Sequence, residues 1–223
     1  MRKRDSDNLT QRGNAMIYIL IAIALIGFLT ITLNNQNEQS DSQNIDDEIA
    51  ELYALELIEY AATAKSVIDQ MEITGTSFDE FDFINPTSAT PFNTAPHIHK
   101  VFHPQGGGFT YKNSNAFPTG TFLSTTGWQF ADTTNIEWTP TTADDMILTA
   151  IDINQTVCEG INEKITGSIT IPVSTVTLAN LFLESTASTD LTATNCASCE
   201  GYPSLCLEDS AGDYGFYNIM FNR

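Results

Sequence analysis

Three histidines, all that the chain contains, lie within seven residues of one another in the segment HIHKVFHPQGGG. They are His97, His99 and His103. If residues 97–103 are extended, these alternate positions project from one face of the strand, where their imidazoles can share a transition-metal ion. Pro96 and Pro104 bracket the segment and favour a loop or an edge strand. A loop with surface histidines and no metal is therefore the alternative interpretation.

Four cysteines form a second group of residues whose side chains are capable of chemistry. They are Cys158, Cys196, Cys199 and Cys206. If this part of the chain is exported, an even number of cysteines predicts two disulfides, for which three pairings exist. A bridge from Cys158 to the cluster at 196–206 closes a loop of about forty residues, which the chain-entropy account values at ~4 kcal/mol. A zinc site is the alternative, but a single CxxC pair supplies only half of a zinc-ribbon signature.

Two short acidic turns, residues 79–82 (DEFD) and 208–213 (EDSAGD), bring carboxylates together. Neither has the twelve-residue spacing of an EF-hand loop. Glu208, Asp209 and Asp213 are a calcium candidate, with a solvated turn as the alternative. The sequence has no Gly-x-Ser-x-Gly elbow, and no histidine stands beside a Ser or Cys nucleophile in a recognisable pattern. We therefore predict that the chain is not an enzyme and needs no cofactor.

An uncharged apolar run lies close to the N-terminus. From Ala15 to Leu33 there are nineteen residues without a charged side chain. As a helix this run is ~28 Å long, at ~1.5 Å per residue, and crosses most of a hydrocarbon core of ~30 Å. Only a helix satisfies the backbone amides of a single span in lipid. We therefore predict a transmembrane helix that contacts inner-membrane lipid.

Charge on the two sides of this run predicts its direction. Residues 1–12 carry four basic and two acidic side chains, a formal charge of +2. Beyond Leu33, 26 carboxylates outnumber five basic residues, a formal charge of −21. Basic residues stay on the cytoplasmic side, which predicts a cytoplasmic N-terminus and a periplasmic or extracellular C-terminal domain. The acidic exterior also argues against nucleic acid as a partner.

The junction RGNAMIYILIAIALIG resembles the N-terminus of the type IV pilin and type II secretion pseudopilin families. Those precursors have a basic leader that ends in glycine, followed by an apolar helix with an internal glycine. The positions that match are Gly13, Met16, Ile17 and Gly27. Asn14 stands where the family usually has Phe or Met as its new N-terminus, and Tyr18 stands where the family has Glu.

The resemblance implies a function in assembly. A prepilin peptidase would cut between Gly13 and Asn14, and the helix would pack on those of other pilin-like subunits through the matching positions together with Tyr18. Because the family Glu is thought to neutralise the terminal amine of a neighbouring subunit, its replacement implies a minor pilin or a pseudopilin. The rival interpretation is a single-pass membrane anchor that presents an extracytoplasmic binding or adhesion domain and forms no filament.

Composition and periodicity predict the helices and strands that carry these residues. We predict a basic leader (1–13), a transmembrane helix (14–33), a polar hinge (34–43), an amphipathic helix (44–75) and a β-rich extracytoplasmic domain (76–223). Apolar residues recur at steps of three and four from Ile49 to Met71, and Gly75 ends the pattern. This stripe is expected to form core. The expected fold class is α+β, a long N-terminal helix, transmembrane and then amphipathic, packed on a mainly antiparallel sheet.

The predicted domain contains short β-rich runs and one further helix. Strands are expected at 101–102, 108–111, 127–131, 136–139, 146–153, 168–173 and 214–221, and the helix at 155–165. The stretch 174–183 is compatible with a strand or a helix.

Overall fold

The computed structural model describes residues 47–183 and 189–223, which belong to one compact unit. The predicted leader, transmembrane helix and hinge lie outside the described residues. So do the positions predicted for processing and assembly, which are Gly13, Asn14, Met16, Ile17, Tyr18 and Gly27. Within 47–183 and 189–223, no helix is long and apolar enough to cross a membrane.

The first element is a long helix, α1 (Asp47–Ile73), which falls within the predicted amphipathic helix. It ends where predicted, because Gly75 adopts a left-handed φ of 105° and its N–H donates to the Glu72 carbonyl at 2.9 Å. One side of α1 is buried along its length. The buried residues are Ala50, Ala54, Leu57, Tyr60, Ala61, Ala64, Ile68 and Met71. The small alanines allow a neighbouring helix to approach closely.

Four strands form one antiparallel sheet in the order β1-β2-β4-β3. They are β1 (Phe122–Thr134), β2 (Asp145–Ile153), β3 (Ser204–Glu208) and β4 (Tyr214–Phe221). The remaining helices are α2 (Ala89–Phe92), α3 (Gln155–Thr166) and α4 (Leu178–Phe182), with 3₁₀ turns at Phe78–Glu80, Ser114–Ala116 and Ala197–Cys199. The α+β class with a mainly antiparallel sheet is therefore confirmed.

The sheet is covered on both faces, so its central strand β2 is buried almost throughout. Met146, Leu148 and Ala150 point into a core shared with α1 and α3. Ile147 and Ile151 point into a second core shared with α4 and the turn at 196–199. Because β2 is buried on both faces, its sequence is a nearly continuous apolar run rather than an alternating pattern.

Helix α3 bridges α1 and the edge strand β3. A Cβ built on Gly160 would lie 3.2 Å from the Ala54 Cβ, so the two helices meet through small residues. On its other side, the buried Asn162 side chain accepts from the Cys206 N–H at 2.9 Å and donates to the Cys206 carbonyl at 2.8 Å. The Asn162 amide thus replaces a neighbouring strand at the edge of β3.

Local predictions divide into two groups. The strands expected at 146–153 and 214–221 and the helix expected at 155–165 are present, and 127–131 lies inside β1. The stretch 174–183, for which a strand and a helix were both compatible with the sequence, contains α4. The strands expected at 101–102, 108–111 and 168–173 are wrong, and 136–139 contributes only an isolated bridge. Strand β3 was not predicted.

The segment 168–173 shows why such a prediction fails. It runs beside β3, and the Glu208 N–H donates to the Pro172 carbonyl at 2.9 Å. Pro172 has no N–H with which to donate a hydrogen bond to β3, and the Thr170 carbonyl accepts from the Asn162 amide at 3.2 Å. Pairing therefore stops at the single Val173–Glu208 bridge.

Candidate functional site

The three histidines do not share one face. Residues 97–107 form successive turns rather than an extended strand, so the geometry assumed for a shared metal ion is wrong. His97 and His103 stack with ring centroids 4.0 Å apart and planes 7° apart. His99 points elsewhere, with its Nδ1 3.2 Å from the Thr76 hydroxyl and its Nε2 3.8 Å from a carboxylate oxygen of Glu80.

The turn that carries His97 and His103 is anchored by a buried lysine. Lys100 is buried, and its ammonium donates to the backbone carbonyls of Pro91, Phe92 and Thr94, which ties the turn to α2. Partial burial, then His97 and Lys100, lower the pKa of His103. Across the described residues, no group of three or more His, Cys, Asp or Glu side chains is arranged to hold a metal ion. The segment therefore has an evident structural role.

The cysteines form two disulfides. Cys158 on α3 bonds to Cys206 on β3 across 48 residues, and Cys196 bonds to Cys199 within a 3₁₀ turn. Of the three pairings left open by the sequence, this is the one in which the CxxC pair closes on itself. All four sulfurs are used, so the alternative of a zinc site fails.

The second acidic turn is held by its own backbone. Asp209 is buried, and one of its carboxylate oxygens accepts from the N–H groups of Ala211 at 2.7 Å and Asp213 at 3.1 Å. The other oxygen accepts from the Leu178 N–H at 2.8 Å, at the start of α4. Both oxygens of Asp209 therefore stabilise the chain, and the geometry does not favour the calcium candidate.

The first acidic turn is likewise a local structure. The Glu80 carboxylate accepts from the backbone N–H of Ser77 at 2.9 Å and from its hydroxyl at 2.7 Å, forming a capping box at Phe78–Glu80. These two hydrogen bonds are the main reason that the pKa of Glu80 is lowered. Asp82 accepts from the Ile84 N–H at 2.8 Å.

An exposed apolar surface on α1 is the feature that the turns do not explain. Ile49, Leu52 and Leu55 are 40%, 64% and 43% exposed. We call these three residues, spaced at steps of three, the outer stripe. At ~100° per residue Leu52 and Leu55 lie ~150° around the helix from the centre of the buried side, and Ile49 lies ~80° from it. The two leucines therefore face away from the sheet, and Ile49 lies on the flank of the helix. Ile49, which was expected in the core, is corrected to this surface.

Charges border the outer stripe without covering it. Glu51 is paired with Lys164 of α3, and Glu56 lies 3.1 Å from the Lys112 ammonium. Both acids are thus drawn toward the domain and away from Leu52. Farther along α1 the exposed positions are mainly small or polar, namely Ala62, Thr63, Ser66 and Gln70. Apart from Ile73 at its C-terminal end, the large exposed apolar residues of α1 lie in the part that is nearest in sequence to the predicted membrane helix.

The outer stripe is absent from the sequence predictions, because a periodicity of three and four identifies a single apolar face. The signal was available, since Leu52 and Leu55 fall outside the three-and-four pattern that leads to the core. A helix whose opposite side also carries large aliphatic residues predicts a second partner.

Comparison with protein-family models, with curated proteins and with solved structures finds no significant match to this chain.

Proposed function

We propose that the chain is a pilin-like structural subunit, a minor pilin or pseudopilin of a type IV pilus or a type II secretion-like filament. In this proposal residues 14–33 anchor it in the inner membrane, and the disulfide-bonded domain faces outward. The observation that carries the proposal is the outer stripe, because large aliphatic side chains on the solvent side of a helix mark an interaction surface.

The position of the outer stripe suits an assembly that grows from the membrane. It lies on the first three turns of α1, which begins a few residues after the predicted hinge. Burying the parts of Ile49, Leu52 and Leu55 that are still exposed would contribute about 3 kcal/mol per interface, taking about half of the full transfer energy for each side chain. That amount is too small to hold a complex alone, so the stripe would act together with the membrane helix.

Further support comes from the arrangement of the domain. An N-terminal helix lies along an antiparallel sheet, and a disulfide ties the C-terminal strands to the helical layer. Both features are expected of a pilin-like subunit. Experiments at the N-terminus and at the outer stripe test the assignment.

Mass spectrometry of the mature protein tests the processing step. We expect loss of residues 1–13 and a methylated Asn14 when the chain is expressed with a prepilin peptidase, and the intact chain when the peptidase is absent. An unprocessed N-terminus in both preparations would reject the pilin-like interpretation and leave the rival, a single-pass anchor that forms no filament.

A photo-crosslinking amino acid at position 52 tests the surface. We expect crosslinks to another pilin-like subunit in cells that carry the assembly machinery, and Leu52→Asp should reduce assembly at least about tenfold, since a charge must then be buried at the interface. Ile73, which is 85% exposed at the other end of α1, is the matched control. Crosslinker at position 73 or Ile73→Asp should have no such effect. Equal behaviour at both positions would contradict the role of the outer stripe.

A further inference from the structure

The segment 168–173 lies beside β3, the edge strand of the sheet. The Glu208 N–H donates to the Pro172 carbonyl at 2.9 Å, and the Glu208 carbonyl accepts from the Ser174 N–H at 2.8 Å. Residues 172 and 174 therefore direct their backbone groups toward β3. Pro172 also favours an extended conformation at Ile171. Because successive residues of an extended chain direct their N–H and C=O groups to opposite sides, those of Ile171 and Val173 point away from β3.

These outward backbone groups have no partner. The N–H and C=O groups of Ile171 and Val173 make no hydrogen bond with any other described residue. The side chains of Ile169 and Val173 are 61% and 60% exposed. We call this side of residues 168–173 the free edge. A row of unpaired N–H and C=O groups at alternate residues is a template for another strand.

The devices that usually protect a sheet edge are absent from the free edge. Pro172 does not block it, because the N–H that proline lacks would face β3. No Asp, Glu, Lys or Arg occurs in residues 165–183. The opposite edge strand, β1, differs in both respects, since its pairing with β2 has two register shifts and it carries Asp132. The free edge is therefore the one that suits an added strand.

An acidic groove adjoins one end of the free edge. Ile169 lines it together with Glu48 and Glu51 of α1 and Glu159 and Glu163 of α3. Among the described residues, Glu51 is the one of these four glutamates that has a cationic partner, Lys164. A chain that paired with the free edge and continued past Ile169 would meet the other three carboxylates, which favour a basic side chain.

We propose that the free edge pairs with an extended segment of another polypeptide, which has apolar residues at alternate positions and a basic residue at the end that reaches the acidic groove. In such strand addition the backbone hydrogen bonds supply affinity, and the side chains at alternate positions supply specificity. A second copy of this chain is a poorer match, because the residues beyond Leu33 carry a formal charge of −21 and would add carboxylates to an acidic surface. The free edge is separate from the outer stripe and its test needs no filament, so the inference does not depend on the proposed function.

The backbone N–H signals of valine provide a direct test, because the chain has five valines. Val173 reports on the free edge. Val101 is the internal control, since it is buried and its N–H donates to the Asp82 carbonyl at 3.0 Å. The full-length chain, labelled with ¹⁵N-valine, is kept in a non-ionic detergent.

The probe is the peptide acetyl-Lys-Thr-Val-Thr-Val-Thr-Lys-amide, N-methylated at both valines. The methyl groups block one edge of the peptide, so that it pairs through the other edge and does not aggregate. One control peptide has Glu in place of both Lys residues. A second control peptide is N-methylated at every residue and has no backbone N–H to donate.

We expect the Val173 N–H signal to shift with the lysine peptide while the Val101 signal stays in place. The Kd should be about millimolar, because each backbone hydrogen bond contributes only a modest net amount. The Glu peptide should bind at least about 5-fold more weakly, since like charges then meet at the groove, and the fully methylated peptide should not bind.

Four results would overturn the proposal. They are no shift of Val173 with the lysine peptide at about 10 mM, well above that Kd, equal affinity for the lysine and Glu peptides, binding of the fully methylated peptide, and a Val173 signal that moves with the concentration of the chain alone. The last result would favour a second copy as the partner.

A substitution at the free edge tests the backbone pairing. Val173→Pro removes the outward N–H and leaves the hydrogen bonds of Pro172 and Ser174 with Glu208 in place. It should weaken binding of the lysine peptide at least about 5-fold by calorimetry. The matched control, Val173→Thr, keeps the N–H and the branched Cβ, and its affinity should stay within about twofold. Equal affinity in the two variants would reject the free edge.

A second substitution tests the charge without changing the free edge. Glu159→Gln/Glu163→Gln removes two carboxylates of the groove and leaves the Glu51–Lys164 pair intact. It should weaken binding of the lysine peptide about 3- to 10-fold and strengthen binding of the Glu peptide. Unchanged affinities would reject a basic partner. This variant decides the question even if the urea midpoint shows that Val173→Pro is unfolded.

Discussion

Replacing Cys158 and Cys206 together by alanine should cost the domain far more stability than the same change at Cys196 and Cys199. All four cysteines are buried to a similar degree, so the packing lost with the sulfurs is nearly matched between the two pairs. What differs is the loop that each bond closes, which is 48 residues in one case and 3 in the other.

The expected difference follows from loop closure in the unfolded chain. For the 48-residue separation the chain-entropy relation gives about 13.6 cal/mol/K, or about 4 kcal/mol at 25 °C. For the separation of 3 the same relation gives about 1.6 kcal/mol. The long-range bond should therefore contribute about 2.4 kcal/mol more. That is a large share of the free energy of unfolding of an ordinary domain, which is roughly 5–15 kcal/mol.

Urea denaturation of the oxidised proteins measures the difference. Fluorescence of the two tryptophans reports on both cores, because Trp128 belongs to the core under α1 and Trp138 packs on the other. The midpoint should fall much further for the Cys158→Ala/Cys206→Ala variant, with little change in the slope m. If the two double variants lost the same free energy of unfolding within about 0.5 kcal/mol, loop closure would not be the source of stability and the argument would be refuted.

Two further perturbations test buried polar groups of the domain. Asn162→Ala should reduce the free energy of unfolding by about 2–4 kcal/mol, because the N–H and C=O of Cys206 both lose their partner; a loss below about 1 kcal/mol by urea denaturation would mean that another group takes its place. Burial raises the pKa of Asp145, and the Ile136 N–H only partly offsets it. The folded state then holds the carboxyl proton of Asp145 more tightly than the unfolded chain does. The contribution of this carboxyl to the free energy of unfolding is therefore full at low pH and is lost as pH rises through the folded-state pKa. The free energy of unfolding of Asp145→Asn minus that of the natural chain should therefore increase between about pH 4 and about pH 7, and a constant difference would contradict the raised pKa.

The elements that could be predicted are those whose pattern lies within a few turns of chain. Helix α1 repeats its apolar residues at steps of three and four, and α3 begins at Asn154, whose side chain accepts from the Thr156 N–H at 2.9 Å. Strands β2 and β4 combine β-branched or aromatic residues with apolar runs. These signals need no knowledge of distant partners.

The edge of the sheet could not be predicted in the same way. Strand β3 is short, and it is defined by β4 on one side and by the Asn162 side chain on the other. The segment 168–173 has a strand-like composition, but Pro172 cannot donate to a ladder. Whether such a segment forms a strand depends on what the fold places beside it.

The candidate sites show the same division. Composition was enough to identify the apolar run that ends at Leu33, the basic leader, the acidic remainder and the residues available for chemistry, because charge and hydropathy are properties of the chain. The tertiary structure alone decided that His99 turns away from His97 and that the CxxC cysteines bond to each other. It also decided which side chains of α1 remain exposed. These outcomes depend on contacts between residues far apart in sequence, whose free energies are settled only when the whole core packs.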